Sequence, residues 1–156
     1  MVHFFYLDDD EASARVRFLV PIVDAYLSDY TFAAHLIHPS EDNPYHYAQC
    51  AVNNCKYCEA GSRILTRTFI PLYNYETDRI EIWDRDQSVI GLTLEPLYNR
   101  YSSISSKMFR ITRHGKLFDK STYYAVTFVE DIEISDEFTE DIRNYMKNEV
   151  IATEVN

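Results

Sequence analysis

The chain has 156 residues and a formal net charge of −10, a length that suits one domain with a buried core and hardly two. No apolar run approaches the roughly 20 residues that span a bilayer, and the first residues lack the basic start and the cleavage site of a signal peptide. We therefore expect a protein of the reducing cytoplasm with no membrane partner.

The acidity is concentrated at the two ends of the chain. Residues 8–11 are all acidic, and residues 130–156 carry nine acidic side chains against two basic ones. Residues 12–129 hold thirteen basic and twelve acidic side chains, so this central body is nearly neutral. The total charge argues against a nucleic-acid partner, because phosphate binding needs Lys and Arg. The neutral body removes that objection for residues 12–129.

Alternation of apolar and polar side chains predicts most of the body to be strands. Residues 1–13 are expected to form an N-terminal arm, with Phe4, Phe5 and Tyr6 docked on the body. Strands are predicted over 15–20, 32–37, 44–50, 63–75, 79–84, 107–113 and 121–129. A helix is predicted over 86–100, and a weak amphipathic helix over 136–150.

This order of elements favours a mainly β fold. Strands separated by one internal helix are typical of an OB-fold-like, five-stranded Greek-key barrel, and a β-sandwich is the alternative. The predicted organisation is an arm over 1–13, the barrel domain over 14–129 with an inserted zinc knuckle at about 34–61, and an acidic C-terminal tail over 130–156.

The cysteines form one cluster in the sequence. Cys50, Cys55 and Cys58 are the only three in the chain. Thiolate and imidazole are preferred ligands of Zn²⁺, and a Cys-x2-Cys step lets two sulfurs reach one ion. Unrelated buried thiols are one alternative. A redox pair is another, and is disfavoured because no helix is expected to begin at Cys55. We predict a structural Cys3His zinc site.

Three histidines are candidates for the fourth ligand. The two strands over 32–37 and 44–50 predict a hairpin that pairs His35 with Ala48, which shares a strand face with Cys50. His38 would lie nearer the turn, and His46 about two residues farther along the strand. The order of preference is therefore His35, His38, His46.

Several runs of the body, in the same order, resemble the single-stranded DNA-binding proteins of tailed bacteriophages. They are ARVRFL (14–19), the histidine-bearing hairpin, CKYCEAG (55–61), FIPLYN (69–74), IEIWDR (80–85), FRITRHGK (109–116) and STYY (121–124). The chain is more distantly similar to the helix-destabilising protein of T-even phages, which carries a zinc subdomain on an OB-fold and an acidic tail. The resemblance implies a non-enzymatic protein that coats single-stranded DNA during phage replication or recombination, in the cytoplasm of an infected bacterium.

A protein of that kind needs cations for the phosphates and aromatic faces for the bases. The phosphate contacts are predicted to be Arg15, Arg17, Arg63, Arg67, Arg110, Arg113 and Lys116. The stacking residues are predicted to be Tyr73, Tyr75, Trp83 and Tyr101. The alternatives are an ordinary solvated strand face for the arginines and a core position for Trp83.

Sequence motifs of catalysis are not found: the chain has no Gly-rich phosphate loop and no Gly-x-Ser-x-Gly. Acidic residues between 76 and 86 are instead expected at exposed turn and strand positions; they are Glu76, Asp78, Glu81, Asp84 and Asp86. The alternative function is an acidic interaction protein that mimics the charge of DNA and binds a host protein.

The acidic tail has a predicted role of its own. Its carboxylates are expected to compete with DNA for the cationic groove. Its apolar face is expected to dock on a replication or recombination protein once DNA fills the groove; that face consists of Phe138, Ile142, Tyr145 and Met146.

Overall fold

A computed structural model describes residues 3–19, 31–37, 47–101, 104–116, 120–133 and 151–152. This part of the chain forms eight strands and two helices. They are β1 (Ser13–Phe18), β2 (Thr31–Leu36), β3 (Tyr47–Gln49), α1 (Lys56–Glu59), β4 (Leu65–Asn74), β5 (Arg79–Asp86), α2 (Gln87–Arg100), β6 (Lys107–His114), β7 (Tyr123–Asp131) and β8 (Ile151–Ala152). The mainly β prediction is confirmed, as is the helix between β5 and β6.

The eight strands belong to one sheet with the order β7-β6-β1-β4-β2-β3-β8, and β5 pairs with β4. Strand β4 is the centre of the sheet. One of its edges pairs with β2 over residues 65–68 and with β1 over residues 72–74, and its other edge pairs with β5. The pairs are antiparallel apart from β3 with β8.

The predicted five-stranded closed barrel is wrong. Ten residues of β4 are long enough for β1 and β2 to lie end to end along one edge, so the sheet branches at β4. Within the described residues, no ladder joins β7 at one end of the sheet to β5 or β8. The sheet is therefore open, and the OB-type assignment stays a prediction.

The core covers one face of β1 and β6, which we call the inner face, and both faces of the middle of β4 and β5. Strand register places Val16 opposite Phe109, Phe18 opposite Leu72, and Ile70 opposite Trp83, and all six side chains are almost fully buried. Because successive side chains alternate between faces, the intervening positions of β1 and β6 point the other way. We call that opposite side the outer face.

The N-terminal arm docks on β5. The amide of Phe5 donates to the Ile82 carbonyl at 2.7 Å, and the Ile82 amide donates to the His3 carbonyl at 2.9 Å. Phe5 is buried against Trp83 with ring centroids 6.0 Å apart, whereas Tyr6 is exposed. The predicted docking of the arm is therefore confirmed for Phe5 and wrong for Tyr6.

Strand β7 reaches Asp131 and so includes the first residues of the predicted acidic tail. The predicted amphipathic helix over 136–150 lies outside the described residues. Within the described part of the chain, no helix is both long and apolar enough to cross a membrane.

Candidate functional site

The predicted hairpin register is confirmed. His35 of β2 lies opposite Ala48 of β3, and the Cys50 amide donates to the Ala33 carbonyl at 2.9 Å. The end of β3 therefore holds Cys50 beside β2, close to His35. The two other candidates, His38 and His46, lie outside the described residues.

The structure brings four predicted ligands together. The Nε2 atom of His35 lies 3.5 Å from the sulfurs of both Cys55 and Cys58, and the sulfurs of Cys50 and Cys58 are 3.6 Å apart. All four ligand atoms lie within 4.8 Å of one another. His35, Cys50 and Cys55 are buried and Cys58 is exposed, so the cluster lies just below the surface.

A short helix shapes the knuckle. Helix α1 begins directly after Cys55, contrary to the expectation that no helix starts there. It ends in a Schellman arrangement: the Ser62 amide donates to the Tyr57 carbonyl, the Gly61 amide donates to the Cys58 carbonyl, and Gly61 has φ 82. A positive φ favours glycine at this position. The reversal returns the chain past Ser62 toward His35.

The thiols of the knuckle differ in acidity. Backbone hydrogen bonds, with the one at Ala51 strongest, lower the pKa of Cys55 to about 6. A hydrogen bond with the sulfur of Cys50 raises the pKa of Cys58 to about 12. The sequence missed the first effect because it did not predict the helix and loop around Cys55.

The imidazole of His35 is oriented by groups outside the cluster. Its Nδ1 lies 3.1 Å from the Arg63 carbonyl and 3.2 Å from the Ser62 hydroxyl oxygen. A carbonyl only accepts, so Nδ1 carries the proton and donates. This leaves Nε2, the atom facing the sulfurs, with a free lone pair, which is the usual arrangement of a metal-binding histidine. The ring of Tyr57 packs on the imidazole at 5.5 Å.

The donor set fits a tetrahedral Zn²⁺. Bonds of about 2.3 Å to sulfur and about 2.0–2.1 Å to nitrogen place neighbouring ligand atoms about 3.5–3.8 Å apart. Three of the six separations between ligand atoms, at 3.5–3.6 Å, fall in this range, and all six are within 4.8 Å. An ion held by all four of these residues would have no open position for a water nucleophile.

A second set of predicted residues gathers on the outer face of β6, β1 and β4. Strand register places Arg15 opposite Arg110 and Arg17 opposite Tyr73. The ring of Tyr75, just after β4, contacts that of Tyr73 edge to face at 5.0 Å. We call these five residues the cationic face. They come from three adjacent strands, and none of them is buried.

Hydrogen bonds hold the arginines of the cationic face in place. Arg17 Nε donates to the Ser105 carbonyl at 3.3 Å, and Arg110 Nη1 donates to the Ser13 hydroxyl at 3.3 Å. Arg15 Nε donates to Glu76 Oε1 at 2.7 Å. That carboxylate lowers the net positive charge of the face, an effect that the sequence did not indicate.

Three residues predicted to contact DNA have side chains that are used inside the fold. Trp83 is 2% exposed and belongs to the core, which leaves no ring face for a base. Arg113 is 5% exposed and donates from Nη1 to the Leu7 carbonyl at 2.8 Å. Arg67 is partly buried and donates from Nε to Asp84 Oδ1 at 2.8 Å.

Two acidic residues predicted to be exposed are also built into the fold. Glu81 is 2% exposed and accepts from Asn74 Nδ2 at 2.7 Å and from Arg79 Nε at 2.8 Å. Asp84 accepts hydrogen bonds from Arg67 and from the hydroxyl of Tyr47. Burial, followed by this hydrogen bond, raises the pKa of Tyr47 above its ordinary value.

The remaining predicted contacts lie apart from the cationic face. Lys116 is exposed at the β6–β7 turn, where Asp10 and Glu11 accept hydrogen bonds from the Gly115 amide and from His114. Arg63 is exposed beside the cysteine cluster.

Tyr101 follows α2 and stacks on Phe128 of β7 with ring centroids 5.4 Å apart. The Lys107 ammonium lies 5.5 Å and 5.6 Å from these two rings. Sequence reasoning missed Phe128 and Lys107, because only the register of β6 and β7 brings them to Tyr101.

Neither a family model, nor a curated protein, nor a solved structure matches this chain. The cysteine cluster and the cationic face are therefore the features from which a function can be inferred.

Proposed function

We propose that this protein binds single-stranded DNA through the cationic face, without sequence specificity, and that a structural Zn²⁺ holds the adjoining part of the sheet together. The observation that carries the proposal is the convergence of Arg15, Arg17, Arg110 and Tyr73 on one face of three neighbouring strands. Alternating arginines on a single strand are common on any solvated surface. A strand register that brings a third arginine from β6 and a tyrosine from β4 beside them is more specific.

The composition of the face fits a single strand. Guanidinium groups bind phosphate oxygens, and tyrosine rings stack on bases whatever their sequence. Tyr73 and Tyr75 lie at one side of the arginine row, so a strand that crosses β6, β1 and β4 would meet phosphate-binding groups first and stacking groups next. The contacts address phosphate and ring faces, which carry no sequence code.

The zinc proposal rests on the four ligand atoms and on the Nδ1 contacts of His35. His35 lies on β2, Cys50 directly follows β3, Cys55 directly precedes α1, and Cys58 lies within α1. An ion bound there would connect these elements at one point. Because β2 also pairs with β4, the ion would stabilise the same central strand that carries Tyr73.

Fluorescence anisotropy with labelled oligo(dT) at low salt tests DNA binding. The proposal predicts saturable binding that weakens as salt rises, with a log–log slope that grows by about 0.7 for each phosphate contact. Absence of binding by freshly purified full-length protein would overturn it. Binding of a host protein in its place would favour the alternative, an acidic protein that mimics the charge of DNA.

Elemental analysis of protein purified with reductant tests the metal. About one zinc per chain is expected, and a protein that contains no zinc would refute the zinc part of the proposal.

A role in phage replication or recombination, with the tail as a competitor of DNA, is proposed from the sequence resemblance. Replacing the acidic side chains of residues 133–149 by amides, which keeps β8 paired with β3, should then tighten oligo(dT) binding at low salt; unchanged affinity would remove the competitor role.

A further inference from the structure

The carboxylate of Glu76 contacts Arg15 of the cationic face. Its Oε1 atom is 2.7 Å from Arg15 Nε and 3.5 Å from the backbone nitrogen of Arg15. A guanidinium and a backbone N–H thus converge on one anionic oxygen. Phosphate and carboxylate oxygens accept hydrogen bonds from arginine in the same way, so this arrangement suits either group.

The charge balance of β1 and β6 explains why an anion is held here. Arg15 and Arg110 lie directly opposite one another, and like charges in that relation destabilise a sheet. Both act on Glu76: the hydrogen bond from Arg15, the largest favourable cause, and the nearby charge of Arg110 lower the pKa of the Glu76 carboxyl. Glu76 therefore offsets part of the repulsion between the two arginines.

The backbone of the β4–β5 turn holds Glu76 independently of its side chain. The Glu76 amide donates to Asn74 Oδ1 at 2.9 Å, and the Asp78 amide donates to the Asn74 carbonyl at 2.8 Å. Asn74 is itself buried and bonded to Glu81. The carboxylate can leave Arg15 by side-chain rotation alone, with the turn unchanged.

We propose that Arg15 and Arg110 form a phosphate-binding site that Glu76 occupies until a phosphate of a nucleic-acid strand displaces it. This inference deepens the proposed function and rests on it. The side chains of Arg15 and Glu76 are 44% and 42% exposed, so the ion pair is open to solvent. Exposed pairs of this kind are weak, and a strand can displace the carboxylate.

Competition between Glu76 and phosphate makes the site selective for phosphates that belong to a strand. A free phosphate ion reaches Arg15 only at the concentration it has in solution. A strand held by Arg17, Tyr73 and Tyr75 presents its next phosphate at a much higher effective concentration. Glu76 therefore excludes small anions from the cationic face while admitting a strand.

The test compares Glu76→Gln with wild type and with Glu95→Gln, which removes the same charge from an exposed position of α2. Glu76→Gln should bind oligo(dT) about twofold to fivefold more tightly at low salt, the range expected when an exposed ion pair no longer competes. Inorganic phosphate should inhibit this variant at a lower concentration than it inhibits wild type. Glu95→Gln should behave as wild type, and adding Arg15→Gln should abolish the gain.

The outcomes separate this inference from the proposed function. If wild type binds oligo(dT) and Glu76→Gln binds no more tightly than Glu95→Gln, the inference is overturned and DNA binding stands. If wild type does not bind oligo(dT), the proposed function fails. The inference is then tested by titrating the protein with tripolyphosphate. A shift of the Arg15 Nε–H NMR signal at lower tripolyphosphate concentration in Glu76→Gln than in wild type supports it, and equal titrations overturn it.

Discussion

The cysteine cluster and the cationic face are built in opposite ways. The cluster draws its four side chains from residues 35–58, and three of them are buried. The cationic face draws its side chains from residues 15–110, and they stay in contact with solvent. Buried groups in mutual contact depend on one another for stability, whereas exposed groups on a sheet are largely independent. Changes in the cluster should therefore alter folding, and changes in the face should alter binding alone.

The largest effect is expected from Cys55→Ser. Loss of a ligand to a structural metal removes binding free energy that is also folding free energy. The free energy of unfolding should fall by about 3 kcal/mol or more, which corresponds to a drop in Tm of roughly 10 °C for a chain of this size. Thermal denaturation and zinc content measure both consequences. Ser62→Ala removes only one contact to His35 Nδ1 and should lower Tm by less. An equal loss of Tm in the two variants would contradict the assignment of Cys55 as a ligand.

Removal of the metal by a chelator should destabilise the β2–β3 side of the sheet and leave the β6–β7 side unchanged. Amides of β2, β3 and residues 50–65 should lose protection from hydrogen exchange, because the ion would connect these segments. The β6–β7 hairpin, which pairs along eight residues of β6, should keep its protection. Hydrogen exchange measured by mass spectrometry resolves the two regions, and a uniform loss across the sheet would show that they are not independent.

The double variant Arg15→Gln/Arg110→Gln should weaken oligo(dT) binding by about tenfold and lower the salt slope by about 1.4, because two phosphate contacts are lost. Its Tm should stay within about 2 °C of wild type, since these side chains are exposed. Lys116→Gln/Lys120→Gln removes two exposed charges at the β6–β7 turn. A larger loss of affinity in this control would move the binding surface to that turn.

A smaller effect is expected from Tyr73→Leu. Loss of one stacking ring should reduce affinity by about 1 kcal/mol, or roughly fivefold, with the salt slope unchanged. Tyr73→Phe keeps the ring and loses only the hydroxyl that donates to Asp78, so it should bind as wild type. Equal losses in the two variants would show that the hydroxyl, and not the ring, matters.

The smallest effect concerns the pH dependence of stability at Glu76. The hydrogen bond from Arg15 lowers the pKa of this carboxyl below its ordinary value of 4.5. A lowered folded-state pKa contributes stability above the ordinary pKa, and that stability is lost as pH falls through the lowered value. Wild type should therefore melt slightly above Glu76→Gln at pH 6, and the difference should vanish at acidic pH. A difference that persists there would mean that the carboxylate charge is not its source.

The cluster joins residues that are close in sequence and the cationic face joins residues that are far apart, which explains what could be predicted from sequence. A hairpin fixes the relation of two nearby strands, so the pairing of His35 with Ala48 could be inferred from the turn that the sequence predicts between them. The relation of Arg15 to Arg110 depends on which strands are neighbours in the sheet, and local pattern does not contain that information. For the same reason the branching at β4 was missed and a barrel was expected.

The sequence also failed to predict that some charged side chains are buried. Glu81 alternates with Ile80 and Ile82 like an ordinary surface residue, and Arg113 was predicted to be exposed because of its charge, yet both are buried. Their partners, the Leu7 carbonyl and the side chains of Asn74 and Arg79, come from the arm and from the facing strand ends. Only the folded structure shows that these partners are present to offset the cost of burial.

The central claim is that single-stranded DNA lies on the cationic face, and photo-crosslinking tests it most directly. Full-length protein is irradiated with an oligonucleotide that carries 5-iododeoxyuridine, and the attached peptide is identified by mass spectrometry. The account predicts crosslinks to Tyr73 or Tyr75, which are lost when Arg15 and Arg110 are both replaced by glutamine. Crosslinks confined to Tyr101, Tyr123 or the β6–β7 turn would contradict it, because those residues lie apart from the cationic face.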